Sequence, residues 1–214
     1  MKDGEIIGIY KPRGPTSHDI VDRVRKITGI KKVGHAGTLD PLASGVLVMA
    51  IGRSATKKIS EYVGKEKEYI ADVRFGVESE TDDEEGKKHR IKQPDNHKVK
   101  LEEVEKVIPK FIGIIEQVPP IYSALKIKGK SAYKYARKGE VVKMKSREIE
   151  IKEIEILDYK WPDLKLRVVT GPGVYIRALA RDIGHDLRVG GYLAGLERTR
   201  VGEFVIKDSL RLDS

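Results

Sequence analysis

A glycine-rich segment that runs directly into a long apolar stretch constrains this chain more than any other feature. Residues 34–45 contain three glycines and a single carboxylate, Asp40, and residues 46–51 form a continuous apolar run. Such a run is typical of a buried strand. Pro41 favours extended backbone at Asp40, and the glycines permit close backbone approach or positive φ. The segment therefore predicts a buried strand preceded by a loop that presents one acid.

The rest of the hydrophobic pattern switches between strand-like alternation and helical spacing. These patterns predict a single mixed α+β domain over residues 1–214, with helices flanking an extended, mainly antiparallel sheet. Residues 78–98 are charge-dense and predict a surface loop. The predicted helices are one capped by Thr16 or Ser17 and ending at Gly29, a short one at 56–62, one at 104–111 that Pro109 kinks or ends, and one at 176–187. Besides the apolar run, the predicted strands are at 6–10, 69–75, 149–156, 164–168 and 200–206, with a bulge near 152–153.

The composition narrows the classes of function. Lys and Arg number 42 against 33 Asp and Glu, which gives a formal net charge of +9. This excess favours a polyanionic partner, nucleic acid before an anionic membrane. The absence of cysteine excludes disulfides, thiolate nucleophiles and cysteine-zinc sites. The five histidines lack ligand spacing, and no phosphate-binding or dinucleotide motif is present, so we expect neither a metal nor a cofactor.

The sequence also bears on location. No apolar run reaches membrane-spanning length, and the first residues lack the apolar region of a signal peptide. We therefore expect a cytoplasmic protein without membrane contact, and a monomer.

Residues 117–147 form an irregular, basic segment with interleaved tyrosines. Lys126 is the first of nine Lys and Arg residues between 126 and 147. Tyr122 precedes them, and Tyr133 and Tyr135 lie among them. Cationic and aromatic side chains together suit the binding of RNA and the handling of a flipped base. Taken by itself, such a basic segment is equally typical of a solvated surface.

Seven stretches of this chain, taken in order, resemble those of one family. The Gly-Thr-Leu-Asp-Pro stretch that contains Asp40 closely resembles the second motif of the TruB family, the bacterial-type tRNA pseudouridine-55 synthases. The resemblance covers about residues 6–206. The other matching stretches are Lys11-Pro12-Arg13-Gly14-Pro15-Thr16-Ser17, Lys32-Val33-Gly34-His35, Lys67-Glu68-Tyr69, Gln117-Val118-Pro119-Pro120 with Ile121-Tyr122-Ser123-Ala124-Leu125-Lys126, Gly173-Val174-Tyr175-Ile176-Arg177, and Leu196-Glu197-Arg198-Thr199 with Gly202 and Phe204. The stretch from Gln117 resembles the start of the family's RNA-gripping thumb loop, which implies a thumb-like RNA-binding insertion over residues 117–147.

The resemblance implies roles for individual residues. Asp40 would be catalytic, Tyr69 would stack on the target base, and Arg177 would form a salt bridge that keeps Asp40 ionised and oriented. The segment that begins at Lys11 supports the catalytic loop in the family. The residues expected to contact the substrate are His35, Lys11, Tyr175, Leu196 and Lys126.

The resemblance further implies a pseudouridine synthase fold and the isomerisation of a uridine to pseudouridine at position 55, in the T-arm of tRNA. Asp40 would start the reaction, either by attacking the sugar C1′ or by abstracting the C2′ proton. Bacterial members usually continue into a small C-terminal RNA-binding domain, which we do not expect in this chain.

Three other functions are weighed against this one. An RNA-guided synthase is the first, although the Pro-Leu-Ala-Ser-Gly stretch after Asp40 resembles the stand-alone branch better. A non-catalytic tRNA-folding chaperone on the same fold is the second, and the intact set of Asp40, Tyr69 and Arg177 argues against it. A membrane-surface protein is the third, but the basic residues do not lie on one amphipathic helix.

Overall fold

The computed structural model describes residues 1–91, 98–123, 125–127, 130–132, 135 and 144–212. The chain divides into two compact units, and neither is one continuous stretch. Unit 1 comprises Met1–Ile70, Arg167–Pro172 and Leu196–Ser214, and unit 2 comprises Ala71–Leu166 and Gly173–Gly195.

The chain contains both helices and strands, as the hydrophobic pattern predicts. The helices are α1 (Ser17–Thr28), α2 (Arg53–Val63), α3 (Leu101–Val107) and α4 (Ile176–Asp186), with 3₁₀ turns at Ile108–Phe111 and Ile206–Asp208. The strands are β1 (Ile6–Lys11), β2 (Val33–Ala36), β3 (Ala43–Ile51), β4 (Lys67–Phe75), β5 (Val77–Ser79), β6 (Lys88–Arg90), β7 (Gly113–Gln117), β8 (Lys126–Ile127), β9 (Lys130–Ser131), β10 (Arg147–Lys160), β11 (Asp163–Thr170), β12 (Gly191–Val201), β13 (Phe204–Val205) and β14 (Leu210–Arg211).

In unit 1, which contains β12 from Leu196 onwards, the strand order is β14-β1-β3-β12, with β2 added to β3 and β13 to β12. The β1–β3, β2–β3 and β12–β13 pairs are antiparallel, whereas β3–β12 and β1–β14 are parallel. Strand β3 is the predicted apolar run, and it is buried on both faces. Leu47, Met49 and Ile51 pack in one cluster with α1 side chains, while Val46 and Val48 belong to a second cluster that Ile59 and Tyr62 of α2 contact. The two clusters explain why the run does not alternate with polar residues.

Helix α1 begins and ends at the predicted signals. The Thr16 side chain accepts from the Asp19 N–H and the Asp19 carboxylate accepts from the Thr16 N–H, which forms a capping box. Gly29 ends the helix at φ 71°, a left-handed conformation that glycine adopts without steric cost. Because Thr16 caps the helix, the hydroxyl of Ser17 is left for a different contact.

Unit 2 contains β4 from Ala71 onwards and β11 up to Leu166, and the strand order there is β4-β11-β10-β7. Strands β5 and β6 pair in a separate hairpin. The predicted phase slip in β10 is visible in burial, since Ile149, Ile151 and Ile154 are buried while Lys152 and Glu153 are both exposed. Helix α4 buries Ile176, Leu179 and Ile183, as its spacing predicts.

Two predicted elements differ from the structure. Residues 78–98 are not simply a surface loop, since β5 and β6 form a hairpin there and Asp83 is buried; residues 92–97 lie outside the described part. The last strand begins at Gly191, nine residues before the predicted start, and Gly202 separates β12 from β13. Glycines at 190 and 191 concealed this strand, because glycine-rich sequence reads as a turn.

The prediction of a mixed α+β fold with a large, mainly antiparallel sheet is confirmed. Within the described residues, no helix is both long and apolar enough to cross a membrane. Much of the predicted thumb-like segment at 117–147 lies outside the described residues, so the thumb stays a prediction.

Candidate active site

Backbone hydrogen bonds hold the loop that carries Asp40 on both sides of this residue. The Ser17 hydroxyl accepts from the Leu39 N–H at 2.8 Å and donates to the Leu39 carbonyl at 2.9 Å. The Gly14 N–H donates to the Pro41 carbonyl at 2.8 Å, and the Ala43 N–H donates to the Asp40 carbonyl at 3.0 Å. The residues before and after Asp40 are therefore bound by the protein, which holds the backbone that presents its half-buried side chain.

Lys11 supports the segment that reaches this loop. Its side chain is fully buried, and Nζ donates to the carbonyls of Pro12 and Pro15 at 2.9 and 2.8 Å. These bonds tie down the turn that places Gly14 against Pro41. The position agrees with a supporting role for this motif, and a direct contact between Lys11 and substrate stays a prediction.

Three further predicted residues lie in unit 1. Tyr69 points into the core from β4, where residues 67, 69, 71, 73 and 75 are buried in alternation. Leu196 on β12 lies in parallel register with Ala43, at the end of the Asp40 loop. His35 on β2 lies opposite Met49, and its buried Nδ1 lacks a hydrogen-bond partner in the described structure. Burial, and then the nearby Arg198 and His18, lower the pKa of His35, which favours the neutral ring at pH 7.

Two buried cations lie beneath the start of the loop. A Cβ built on Gly37 would lie 3.4 Å from Nη1 of Arg198 and 3.6 Å from Cε of Lys67, and Gly37 has φ 78°. The ammonium of Lys67 donates to the carbonyls of Val63 and Lys65 at 2.9 and 2.6 Å. Burial, and secondarily the charge of Arg198, lower the pKa of Lys67 to about 8. Both residues belong to the quoted motifs, but the sequence alone indicated no role for either.

The remaining catalytic candidate, Arg177, lies in unit 2 at the start of α4. Its guanidinium forms an ion pair with Asp83 at 3.4 Å and donates to the carbonyls of Thr81 and Tyr122 at 3.1 and 3.0 Å. The β5–β6 hairpin thus supplies the carboxylate that fixes Arg177. The charge-dense stretch at 78–85 concealed this role, because the sequence could not distinguish a solvated acid from a buried one.

Tyr175 stands immediately before α4 and is fixed by a buried amide. The Gln117 side chain donates to the Tyr175 carbonyl at 3.1 Å and accepts from the Tyr175 N–H at 2.9 Å. The Arg147 guanidinium lies 5.0 Å from the centre of the Tyr175 ring, within cation–π range. Gln117 was visible in the sequence as part of the segment before Pro119, yet nothing there paired it with Tyr175.

The structure thus places Asp40, His35, Lys11, Tyr69 and Leu196 in unit 1, and Tyr175 and Arg177 in unit 2. The expected ion pair between Asp40 and Arg177 joins residues of different units and stays a prediction. The side chain of Lys126 lies outside the described part of the chain, so its contact with substrate also stays a prediction. Among the residues described, no three His, Cys, Asp or Glu side chains form a group that could hold a metal ion.

Comparisons with known proteins agree on one family. Residues 25–176 match the family model described as TruB family pseudouridylate synthase, N-terminal domain. A protein of Phocaeicola vulgatus named tRNA pseudouridine synthase B is 46% identical over 220 residues, which cover all of this chain and 92% of the relative. A protein of the same name from Desulfotalea psychrophila is 49% identical over 94% of this chain and 83% of the relative. One from Nostoc sp. is 45% identical over 96% of this chain and 70% of the relative.

Solved structures support the same fold. A chain in the crystal structure of a Cbf5-Nop10-Gar1 complex is 30% identical and superposes with a TM-score of 0.76 over 98% of this chain. This chain spans 53% of the length of that structure. A crystal structure of a pseudouridylate synthase, at 16% identity and a TM-score of 0.51, shares the fold over 99% of this chain and 69% of its own.

Proposed function

The chain belongs to the TruB family of pseudouridylate synthases, and on this basis we propose that it isomerises one uridine in the T stem-loop of tRNA, with Asp40 as the catalytic residue. Relatives that are 42–49% identical over nearly the whole chain are named tRNA pseudouridine synthase B, which supports tRNA as the substrate. The observation that carries the role of Asp40 is its loop, in which Ser17 and Gly14 bind the backbone of the two flanking residues.

The reaction breaks the C1′–N1 bond, rotates the uracil, joins C5 to C1′ and moves the C5 proton to solvent while N1 gains one. It is redox-neutral and consumes no group donor. A carboxylate held on a rigid loop suits a step at the sugar, either attack at C1′ or abstraction of the C2′ proton. Tyr69 stacks on the flipped uracil, and a loop uridine is favoured because unpairing a stacked base costs a few kcal/mol. The enzyme acts in the cytoplasm as a monomer.

The test maps pseudouridine in unmodified tRNA transcripts after incubation with the protein alone. Wild type should modify one T-loop uridine, and Asp40→Asn should abolish product while RNA affinity stays within a few-fold. The matched control is Asp22→Asn, which alters a half-exposed carboxylate of the same unit that pairs with Arg25 at 2.8 Å. Turnover by Asp40→Asn near the wild-type rate would contradict the catalytic assignment.

The same assay tests whether the T-arm alone is sufficient as a substrate. A T-arm hairpin should serve as a substrate nearly as well as whole tRNA. The reason is that the matched motifs belong to the catalytic domain, which in the family grips this stem-loop. A loss in kcat/KM of more than about a thousandfold, or about 4 kcal/mol, on trimming would mean that another surface reads the rest of the tRNA.

A second candidate is an RNA-guided synthase, and the structural similarity to chains of the Cbf5-Nop10-Gar1 complex and of an H/ACA RNP bound to a substrate RNA favours it. The relatives named tRNA pseudouridine synthase B are more similar to this chain in sequence, at 42–49% identity, than the chain of the Cbf5-Nop10-Gar1 complex, at 30%. Pseudouridine formed without any guide RNA supports the stand-alone enzyme, and product that requires a guide supports the alternative. Binding without product in wild type would indicate a tRNA-folding chaperone.

A further inference from the structure

Strand β12 approaches the end of the Asp40 loop unusually closely at Arg198. In the parallel β3–β12 ladder, Arg198 is in register with Gly45. Gly45 has φ 110°, and a Cβ there would overlap the backbone of Arg198. Glycine at this position therefore allows the two backbones to meet, which brings the Arg198 side chain to the base of the loop.

The guanidinium of Arg198 binds both ends of the loop at once. Nε donates to the Val46 carbonyl at 2.8 Å, and Nη2 donates to the Gly37 carbonyl at 2.9 Å. These two carbonyls stand on either side of Asp40 in the sequence. Because the guanidinium is planar and its donors have a fixed spacing, the two bonds set the distance across the base of the loop.

Stability alone does not explain an arginine at this position. Arg198 is 1% exposed, and in the part of the chain that the structure describes both acceptors are neutral carbonyls rather than carboxylates. A buried charge loses its hydration, and a well-packed apolar side chain is often equally stabilising or more so. The two directed hydrogen bonds are what an apolar side chain cannot supply.

Gly37 makes the arrangement sensitive to small changes. A methyl group added there would lie in ordinary van der Waals contact with Nη1 of Arg198 and Cε of Lys67, but the φ of 78° is one that a side chain disfavours, so an alanine would strain the backbone whose carbonyl Arg198 binds. The start of the loop is thus bound by the guanidinium and packed against it. A displacement of Arg198 would move the backbone that leads to Asp40.

We propose that Arg198 is a positioning residue for Asp40, whose guanidinium binds the Gly37 and Val46 carbonyls and so sets where the loop presents the catalytic carboxylate. The inference rests on the proposed catalytic role of Asp40. It predicts an effect on the chemical step rather than on RNA binding, because Arg198 is buried beneath the loop. Misplacement of a reacting group by about 1 Å can cost on the order of a hundredfold in rate.

The experiment measures the single-turnover rate, the RNA dissociation constant and the melting temperature of Arg198→Lys and Arg198→Gln. Lysine keeps the charge, but one ammonium cannot reproduce the planar pair of donors. We expect Arg198→Lys to lower the rate on the order of a hundredfold and to leave RNA affinity within a few-fold. The stability control is Val24→Ala, which opens the α1 core of the same unit and should lose melting temperature while it keeps the rate.

The outcomes separate this inference from the proposed function. A wild-type rate in Arg198→Lys, or an equal rate loss in Val24→Ala at an equal loss of melting temperature, overturns the role of Arg198. Asp40→Asn is measured in parallel, and activity in that variant overturns the proposed function instead. If the Arg198 variants do not fold, Gly37→Ala disturbs the same contact from the loop side; an undiminished rate there also overturns the inference.

Discussion

Arg177 and Asp83 form a buried ion pair, with 3.4 Å between Nη1 and Oδ2 and side chains that are 6% and 5% exposed. The carboxylate comes from the hairpin segment at 78–90, and the guanidinium from the first turn of α4. Arg177 also donates to two main-chain carbonyls, so its orientation depends on three contacts from unit 2. These three contacts hold the guanidinium, and therefore its positive charge, in one position.

Asp83→Asn should destabilise the protein strongly. The substitution keeps the shape of the side chain but leaves the buried Arg177 without this carboxylate, and breaking a buried pair costs about 3–5 kcal/mol. The control is Asp163→Asn, because the Arg74–Asp163 pair has side chains that are 50% and 62% exposed. Such a surface pair contributes about 0–1 kcal/mol. Urea unfolding of both variants tests this, and equal losses would contradict the assigned burial.

Ser17→Ala should lower both stability and the rate of isomerisation. It removes the hydroxyl that binds both the N–H and the carbonyl of Leu39, next to Asp40. Buried groups left without partners cost about 1–3 kcal/mol. Ser209→Ala is the control, since its hydroxyl donates to the Val205 carbonyl at 3.0 Å outside the loop. If Ser17→Ala and Ser209→Ala have the same single-turnover rate, Ser17 has no part in holding the loop.

Lys67 should give the protein a pH-dependent stability. Its pKa is lowered to about 8 in the folded protein from 10.5, so between these values the unfolded chain binds more protons. The free energy of unfolding of wild type should therefore rise with pH from about 8 to 10.5, relative to Lys67→Met, by at most about 1.4 kcal/mol per pH unit. Below pH 8 the difference should be constant. Lys65→Met, at an exposed position, is the control, and parallel curves for wild type and Lys67→Met would contradict the prediction.

Binding of RNA should weaken steeply with salt. The net charge is +9, and Lys31 and Lys32 are exposed beside β2. Each phosphate contact contributes a log–log slope of about −0.9 for duplex and about −0.7 for single strands. Replacing both lysines with alanine should make the slope shallower by one to two contacts, whereas Lys207→Ala should not change it. A slope near zero in wild type would exclude the electrostatic surface.

Local elements were predictable wherever a short pattern determines them. Thr16, Asp19 and Gly29 lie within one helix and its caps, and they form the expected start and end of α1. The β3 strand was predictable because six consecutive apolar residues cannot face solvent on either side. The strand at Gly191 was missed because its first residues carry a turn signal, and pairing in the sheet overrides that signal.

The sequence by itself determined the family, the likeness of the Asp40 loop to a catalytic motif, and most helices and strands. Tertiary structure decided which side chains hold that loop. Ser17 binds Leu39 across 22 residues, and Arg198 binds Gly37 across 161. Arg177 pairs in the same way with Asp83, which belongs to a segment that the sequence alone places at the surface. Contacts of this kind join residues that are distant in the sequence, so they depend on how helices, strands and loops pack together, and residue patterns over a few positions do not specify that packing.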